Sequence, residues 1–427
     1  VKRKEDSRKN RGTKGKTKKD HDGARPAYRK EPAEATVWRG LIERLTWGGL
    51  GLAKAEDGRS ILLRAPLALF PGEDVEATIH WKPRHAEGQV TGWRKPSKSR
   101  VEPACPVAET CGGCDLWGAG THEAELKRMM AADLLRRQLG VETFAWHPAP
   151  PQARRARIQL HLYAGKLGYH KRNSHTLVPV SACPAALDAL SDALPRLQAA
   201  IEGGVISSKP QRWELVTGTP EGQVWAVAET GKTWVLEPDG WKKDDGPVVH
   251  RFEGTTLRHA PGGFFQACPE WAWTAFRTVL EGWDLKGDTL YDLYGGIGFF
   301  SALLGKRFKR RVLVEGVEPA VAFARQNLAD LGAECHVAPV EEWCPEGLGD
   351  EGDLILLDPP RAGLAPELAD RLVSAKANRM VLIGCDGAAF CRDLKRLAPG
   401  WTVMDLQVLD LFPRTVHAEF IALLKRA

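Results

Sequence analysis

The stretch from Asp288 to Asp358 most constrains what this chain can fold into. Asp288 to Asp292 reads as a buried strand, Tyr294-Gly-Gly-Ile-Gly298 as a tight turn, and Phe299 to Gly305 as the start of a helix. The next predicted strand, Val312 to Val317, ends at Glu318, and another, Leu354 to Leu357, ends at Asp358. Strands alternating with helices imply a parallel, doubly wound sheet, whose ligand crevice lies beyond the carboxyl ends of its strands. Asp292, Glu318, Asp358 and Cys385 all fall at such ends, which predicts that they share one site.

A glycine turn with an acidic residue at the following strand end suits an adenosine-containing cofactor whose ribose hydroxyls donate to Glu318. The turn lacks the G-x-G-x-x-G spacing of dinucleotide sites and the Lys-Ser/Thr of a P-loop. A cofactor with an amino-acid end, S-adenosylmethionine, fits it better than a pyrophosphate does. The competing reading is a turn that serves packing alone.

Cys385 follows Asp358-Pro-Pro-Arg361 by 27 residues and precedes Glu419 by 34. A thiolate can add to C6 of a uracil ring, and a carboxylate near C5 can remove the proton that a new substituent displaces. A lone cysteine is ordinarily a core residue, so the assignment leans on context. Prolines fix the backbone around Asp358, although Asp-Pro is also a common turn former. His417 lies two residues before Glu419 and is expected on the same strand face.

The chain has nine cysteines, with Cys105, Cys111 and Cys114 grouped and Cys183 further on. In a reducing compartment these four read as ligands rather than disulfides, and their number suits a tetrahedral zinc or a [4Fe–4S] cluster equally. Glycines 112 and 113 let the backbone turn tightly between neighbouring thiolates.

The 427 residues carry a net charge of +6, yet the first 30 hold thirteen Lys or Arg against four acids. A run this polar buries no core and is expected to be disordered over 1–35, either raising the encounter rate with phosphates or simply solvating the chain. No apolar run is long enough to span a bilayer and the first residues are charged, so a cytoplasmic protein without membrane contact is expected. Short strands and turns over 36–95 predict a small β-barrel. Pro96-Ser-Lys-Ser-Arg100 reads as a polar linker. Residues 96–258 form a mixed central domain, with helices at His122 to Leu139 and Ala185 to Ala200 and strands at Arg157 to Tyr163 and Gln223 to Glu229. The doubly wound domain occupies 259–427.

Together these residues resemble the S-adenosylmethionine-dependent RNA uracil-C5 methyltransferases, in particular the bacterial ribosomal RNA branch with a TRAM domain and an iron–sulfur cluster. Gly48-Gly-Leu-Gly51, Pro71-Gly-Glu73 and Pro96 to Arg100 look like TRAM features, and Cys105-x5-Cys111-Gly-Gly-Cys114 with Cys183 looks like the [4Fe–4S] site. Phe264-Phe-Gln266, Asp292-Leu-Tyr294-Gly-Gly296 and Asp358-Pro-Pro-Arg361 look like the cofactor elements. The resemblance implies an α/β fold: a TRAM-like barrel, a central iron–sulfur domain and a Rossmann-like catalytic domain. It implies Cys385 as nucleophile, Glu419 as base, and Gln266, Tyr294, Gly296, Gly298, Glu318 and Asp358 around the cofactor. Ribosomal RNA is the expected substrate, transfer RNA the alternative, and a monomer the expected state.

The chain departs from that pattern at four places. Asp386-Gly387 follows Cys385 in place of Asn-Pro, Phe299 stands for an Asn, Pro339 for an Asp or Asn, and Asp115-Leu-Trp117 follows the third clustered cysteine. A different class of answer is a catalytically idle RNA-binding or assembly factor; the retained Cys385 and Glu419 argue against it.

Overall fold

The computed structural model describes residues 35–220 and 222–427. The basic tail expected over 1–35 therefore lies, up to residue 34, outside the described residues.

The expected alternation at the C-terminal end builds an eight-stranded mixed sheet. Its order runs Glu334–Val337, Phe308–Glu315, Gly287–Leu293, Leu354–Leu357, Arg379–Gly384, Glu419–Arg426, Trp401–Leu409 and Ala145–His147. The first five strands are mutually parallel, and Glu419–Arg426 runs antiparallel to Arg379–Gly384. Leu354–Leu357 is buried at every position, as a strand covered on both faces must be. Helices Phe299–Leu304, Glu318–Asn327, Pro366–Val373 and Gly387–Leu397 supply the cover.

Two elements of the expected central domain belong with this sheet. Strand Ala145–His147 pairs in parallel with Trp401–Leu409 and extends its edge. Helix Glu123–Leu139 starts with two glutamates and ends in Arg136, Arg137 and a left-handed Gly140, charges that suit its dipole. Its Ala131, Leu134 and Leu135 enter the same core as Phe390 and Phe420. Lys127, on this helix, is wholly buried and ion-paired with Asp410, at the end of Trp401–Leu409. Burial pushes the Asp410 carboxyl up, and Lys127 opposes the rise.

The central region proper is a seven-stranded antiparallel sheet. Strand Arg157–Tyr163 matches its predicted bounds, and Leu190, Ala193, Leu194, Leu197 and Ile201 of helix Asp188–Glu202 seat that helix on the sheet against Trp213.

The N-terminal strands do not form the closed barrel that was expected. They make a six-stranded sheet whose edges are Ala35–Leu41 and Arg44–Leu45, two strands separated at Ile42–Glu43. The first pairs with Asp74–Trp81 and the second with Gly51–Lys54, curling the sheet without completing a hydrogen-bonded ring. The polar linker is also pinned. Glu73 is 1% exposed and accepts from Trp93, Ser97 and Arg100, which holds Pro96 to Arg100 against the sheet.

Replacing Lys127 with Met leaves Asp410 buried without its cation. The expected cost is about 3–5 kcal/mol, read as a lower denaturant midpoint in urea unfolding.

Candidate active site

Both candidate catalytic groups follow from one ladder. Gly384 pairs with Phe420 across the antiparallel strands, so continuing the register by one residue sets Cys385 opposite Glu419. Opposed residues in such a ladder lie about 4.5–5.5 Å apart at Cα. Cys385 leaves the carboxyl end of its strand, while Glu419 opens a strand running the other way. Asp358 stands at the carboxyl end of the neighbouring strand Leu354–Leu357. A small cleft beside Cys385 is lined by Pro359, Pro360, Arg361, Cys385 and Asp386, among others.

The site is crowded with acid. Glu419 is 4% exposed, and its Oε1 has no hydrogen-bond partner. Burial, reinforced by Asp358, raises the Glu419 carboxyl well above the usual range, and Arg361 partly opposes this. Asp358 is pushed up to about 7 by burial and by the charge on Asp292. Burial pushes the Cys385 thiol up to about 12, with Glu419 and Asp358 adding to the shift and Arg361 opposing it. The protein alone therefore disfavours the thiolate, and a bound cation would favour it.

The glycine turn sits at the next strand end. Asp292 is fully buried; its Oδ2 accepts from Ser301 N at 2.9 Å and Ser301 Oγ at 2.6 Å, whereas Oδ1 has no partner. Burial lifts this carboxyl to about 6. A Cβ on Gly295 would come within 2.6 Å of Leu313 and 3.1 Å of Asp292, so only glycine lets the turn pass there. Tyr294 at φ 61, Gly296 at 54 and Gly298 at 90 shape the turn, and the Tyr294 hydroxyl donates to Glu341.

The acidic residue facing this turn is Glu315, a correction to the expected strand end at Glu318. The strand stops at Glu315, which accepts from Gly296 N at 3.1 Å and Val317 N at 2.8 Å. Glu318 is exposed in the first turn of the following helix. Two glutamates three apart flank a break that Gly316 marks, and that glycine was the available signal. Gln266 is half-buried on the stretch before helix Pro269–Gly282, and its neighbour Phe265 packs edge-on to Phe299 at 5.9 Å, beside the glycine turn. Pro339 caps the short helix Val340–Trp343 close to Gly316.

Asp386 and Gly387, the residues after the thiol, have local explanations. Asp386 Oδ1 caps helix Gly387–Leu397 by accepting from Ala389 N at 2.8 Å. A Cβ at Gly387 would lie 2.5 Å from Leu134 and 2.8 Å from Phe420. His417 is not on the Glu419 strand but in the loop before it, where burial and Arg361 push its imidazole toward the neutral form.

Cys105, Cys111, Cys114 and Cys183 line one cavity with Trp117, Arg155 and Tyr169. Burial pushes the Cys105, Cys111 and Cys114 thiols up, the last to about 11. Among the described residues, no three His, Cys, Asp or Glu side chains form a group that could hold a single metal ion. No helix among them is long and apolar enough to cross a membrane.

The model of the tRNA (uracil-5-)-methyltransferase family matches residues 351–427, the stretch with Asp358, Cys385 and Glu419. An RNA methyltransferase of Streptomyces coelicolor is 32% identical over 423 residues, covering 89% of this chain and 91% of that protein. The 23S rRNA (uracil(1939)-C(5))-methyltransferase RlmD of Pectobacterium atrosepticum is 29% identical over 418 residues, covering 88% and 90%. Among solved structures, the Pyrococcus abyssi tRNA (uracil-54, C5)-methyltransferase in complex with S-adenosyl-L-homocysteine shares the fold. Its TM-score is 0.71 at 24% identity, and the match covers 91% of this chain and 100% of that one.

Asp358 and Asp292 titrate near 7 and 6 in the folded protein, above the roughly 3.9 of a free aspartate. The folded state therefore binds more protons, and their stabilisation is full below about pH 4 and is lost as pH rises through 6 to 7. Asp358→Asn should flatten that decline in a pH series of thermal melts of the ligand-free protein. In the same protein, Cys385 should alkylate more slowly at pH 8 than the unfolded thiol, and Glu419→Gln should speed it, read at the Cys385 peptide by mass spectrometry.

Proposed function

Because the chain belongs to the RNA (uracil-5-)-methyltransferase family, we propose that it methylates C5 of a uridine in ribosomal RNA, with Cys385 as nucleophile and Glu419 as base. The single observation that carries this reading is the ladder whose register opposes Cys385 to Glu419.

The chemistry needs both groups. Addition of the Cys385 thiolate to C6 of a uracil makes C5 nucleophilic, and after methylation Glu419 takes the C5 proton so that the thiolate can leave. Reaching the ring requires an unstacked base, as in other enzymes that act on nucleobases. S-adenosylmethionine, when bound, supplies the methyl group and a positive sulfonium. The buried, unpartnered Asp292 Oδ1 and the glycine turn fit its amino-acid end and adenosine. Gln266, Tyr294, Gly296, Gly298 and Asp358 would hold it. Glu315 at the strand end suits the ribose better than the exposed Glu318. The positive charge of the sulfonium would also offset what holds the Cys385 thiol protonated, burial first and then the Glu419 and Asp358 charges.

We assign the four-cysteine cavity to a [4Fe–4S] cluster. Four thiols around one space, with no three close enough to grip one ion, suit a multi-atom group better than zinc. The curled N-terminal sheet is assigned as a TRAM-like RNA-binding surface. Transfer RNA is the second reading, supported by the match of residues 351–427 to the tRNA (uracil-5-)-methyltransferase family model.

The test mixes anaerobically purified protein, S-adenosylmethionine and 5-fluorouridine-substituted ribosomal RNA. Fluorine cannot leave as a proton, so a denaturant-stable adduct is expected with wild type and none with Cys385→Ala. No adduct from wild type with either ribosomal or transfer RNA would overturn the reading. With unmodified RNA, Glu419→Gln is expected to accumulate the adduct, because loss of a general base slows its step by roughly 10²–10⁴-fold.

A further inference from the structure

We propose that Arg155 is a positioning residue that joins the four-cysteine cavity to Glu419, acting both as counter-ion to the group held there and as donor to the loop that delivers the base. The counter-ion half rests on the iron–sulfur reading of that cavity; the loop half stands on geometry alone.

Arg155 Nη2 donates to Cys114 Sγ and to the Pro413 carbonyl, each at 3.4 Å. Among the described residues no other side chain is recorded bonding both a cavity sulfur and this loop. Its backbone is fixed from the far side of the cavity: Arg155 N donates to Ala185 O and Leu187 N donates to Arg155 O, each at 2.9 Å. Those bonds tie it to the segment carrying Cys183. The guanidinium lines the cavity with all four cysteines. A cluster ligated by four thiolates is a buried anion, and a buried anion needs a cation at hand.

The loop it grips runs from Asp410 to Ala418 and ends at Glu419. The cysteine segment holds the same loop directly: Asp115 N donates to Arg414 O at 2.8 Å, Leu116 N to the same oxygen at 3.2 Å, and Val416 N to Asp115 Oδ2 at 3.3 Å. Any shift of Cys114 is therefore passed to residues five or six before the base. Glu419 itself has an unpartnered carboxylate oxygen, so its aim depends on its backbone.

The test compares anaerobically purified full-length wild type, Arg155→Gln and Arg155→Lys by three readings: iron and sulfide content, amide exchange of residues 412–418, and lifetime of the denaturant-stable adduct with unmodified ribosomal RNA. Arg155→Gln is expected to lose iron. Its loop amides should exchange roughly tenfold faster or more. The adduct should persist at least about tenfold longer, because the Glu419 step is slowed, with kcat/KM for S-adenosylmethionine unchanged. Arg155→Lys keeps the charge and is expected to retain iron while its loop exchanges faster; it carries the test if Arg155→Gln does not fold. Wild-type exchange over 412–418 together with a wild-type adduct lifetime in either folded variant would overturn the proposal. Iron-free wild type would remove the counter-ion half and the cluster reading with it, leaving the loop coupling to be judged by exchange. Absence of a wild-type adduct on 5-fluorouridine-substituted ribosomal or transfer RNA would count against the methyl-transfer reading instead, and the exchange result would still decide Arg155.

Discussion

The antiparallel ladder between Arg379–Gly384 and Glu419–Arg426 is the constraint on which the rest depends. In a wholly parallel sheet, neighbouring strands bring only their carboxyl ends to the ligand face, so every side chain there would leave a strand. One reversed strand brings a residue that enters a strand, and the loop before it, to the same face. The thiol and the carboxylate thus approach from opposite chain directions, each held by a different set of neighbours. Cys385 is followed at once by a helix capped by Asp386, while Glu419 is preceded by a loop bound to several other parts of the chain.

That loop gathers its contacts by burial and charge. Lys127 donates to Phe412 O as well as pairing with Asp410, Glu123 takes up Arg414, and Val416 packs into the core of the N-terminal sheet. Buried ion pairs return little net stability once desolvation is counted, but they fix geometry because leaving either partner alone is costly. The ligand face, in contrast, collects Asp292, Asp358 and Glu419, with the Arg361 guanidinium opposing the Glu419 shift. The first arrangement is satisfied within the chain; the second is relieved by a positively charged ligand.

The doubly wound sheet was legible because its strands carry short apolar runs closed by turn residues. Leu354–Leu357 and Arg157–Tyr163 fall at their predicted bounds. Tyr294 to Gly298 was legible because close backbone approach demands glycine. What escaped reading is tertiary. Nothing local says that Ala145–His147 joins a sheet whose partner strand lies over 250 residues on, nor that the helix before it shields Phe420. Glu315 and Glu318 were confused because strand propensity alone does not show which of two acids ends a strand. The N-terminal barrel was inferred from strand spacing, which sets the number of strands and not whether the last edge meets the first.

A Cβ on Gly49 would come within 2.5 Å of the Val416 Cγ1 methyl, and Trp47 packs edge-on to Phe420 at 5.0 Å. The catalytic face and the N-terminal sheet are therefore fitted to each other at atomic tolerance, not strung together as independent beads. A shuffled gene joining the N-terminal half of one relative to the C-terminal half of another would inherit two sound folds and a mismatched seam. Accommodation at positions 47, 49 and 416 would have to travel together, which makes the boundary between the two a poor place for recombination to cut.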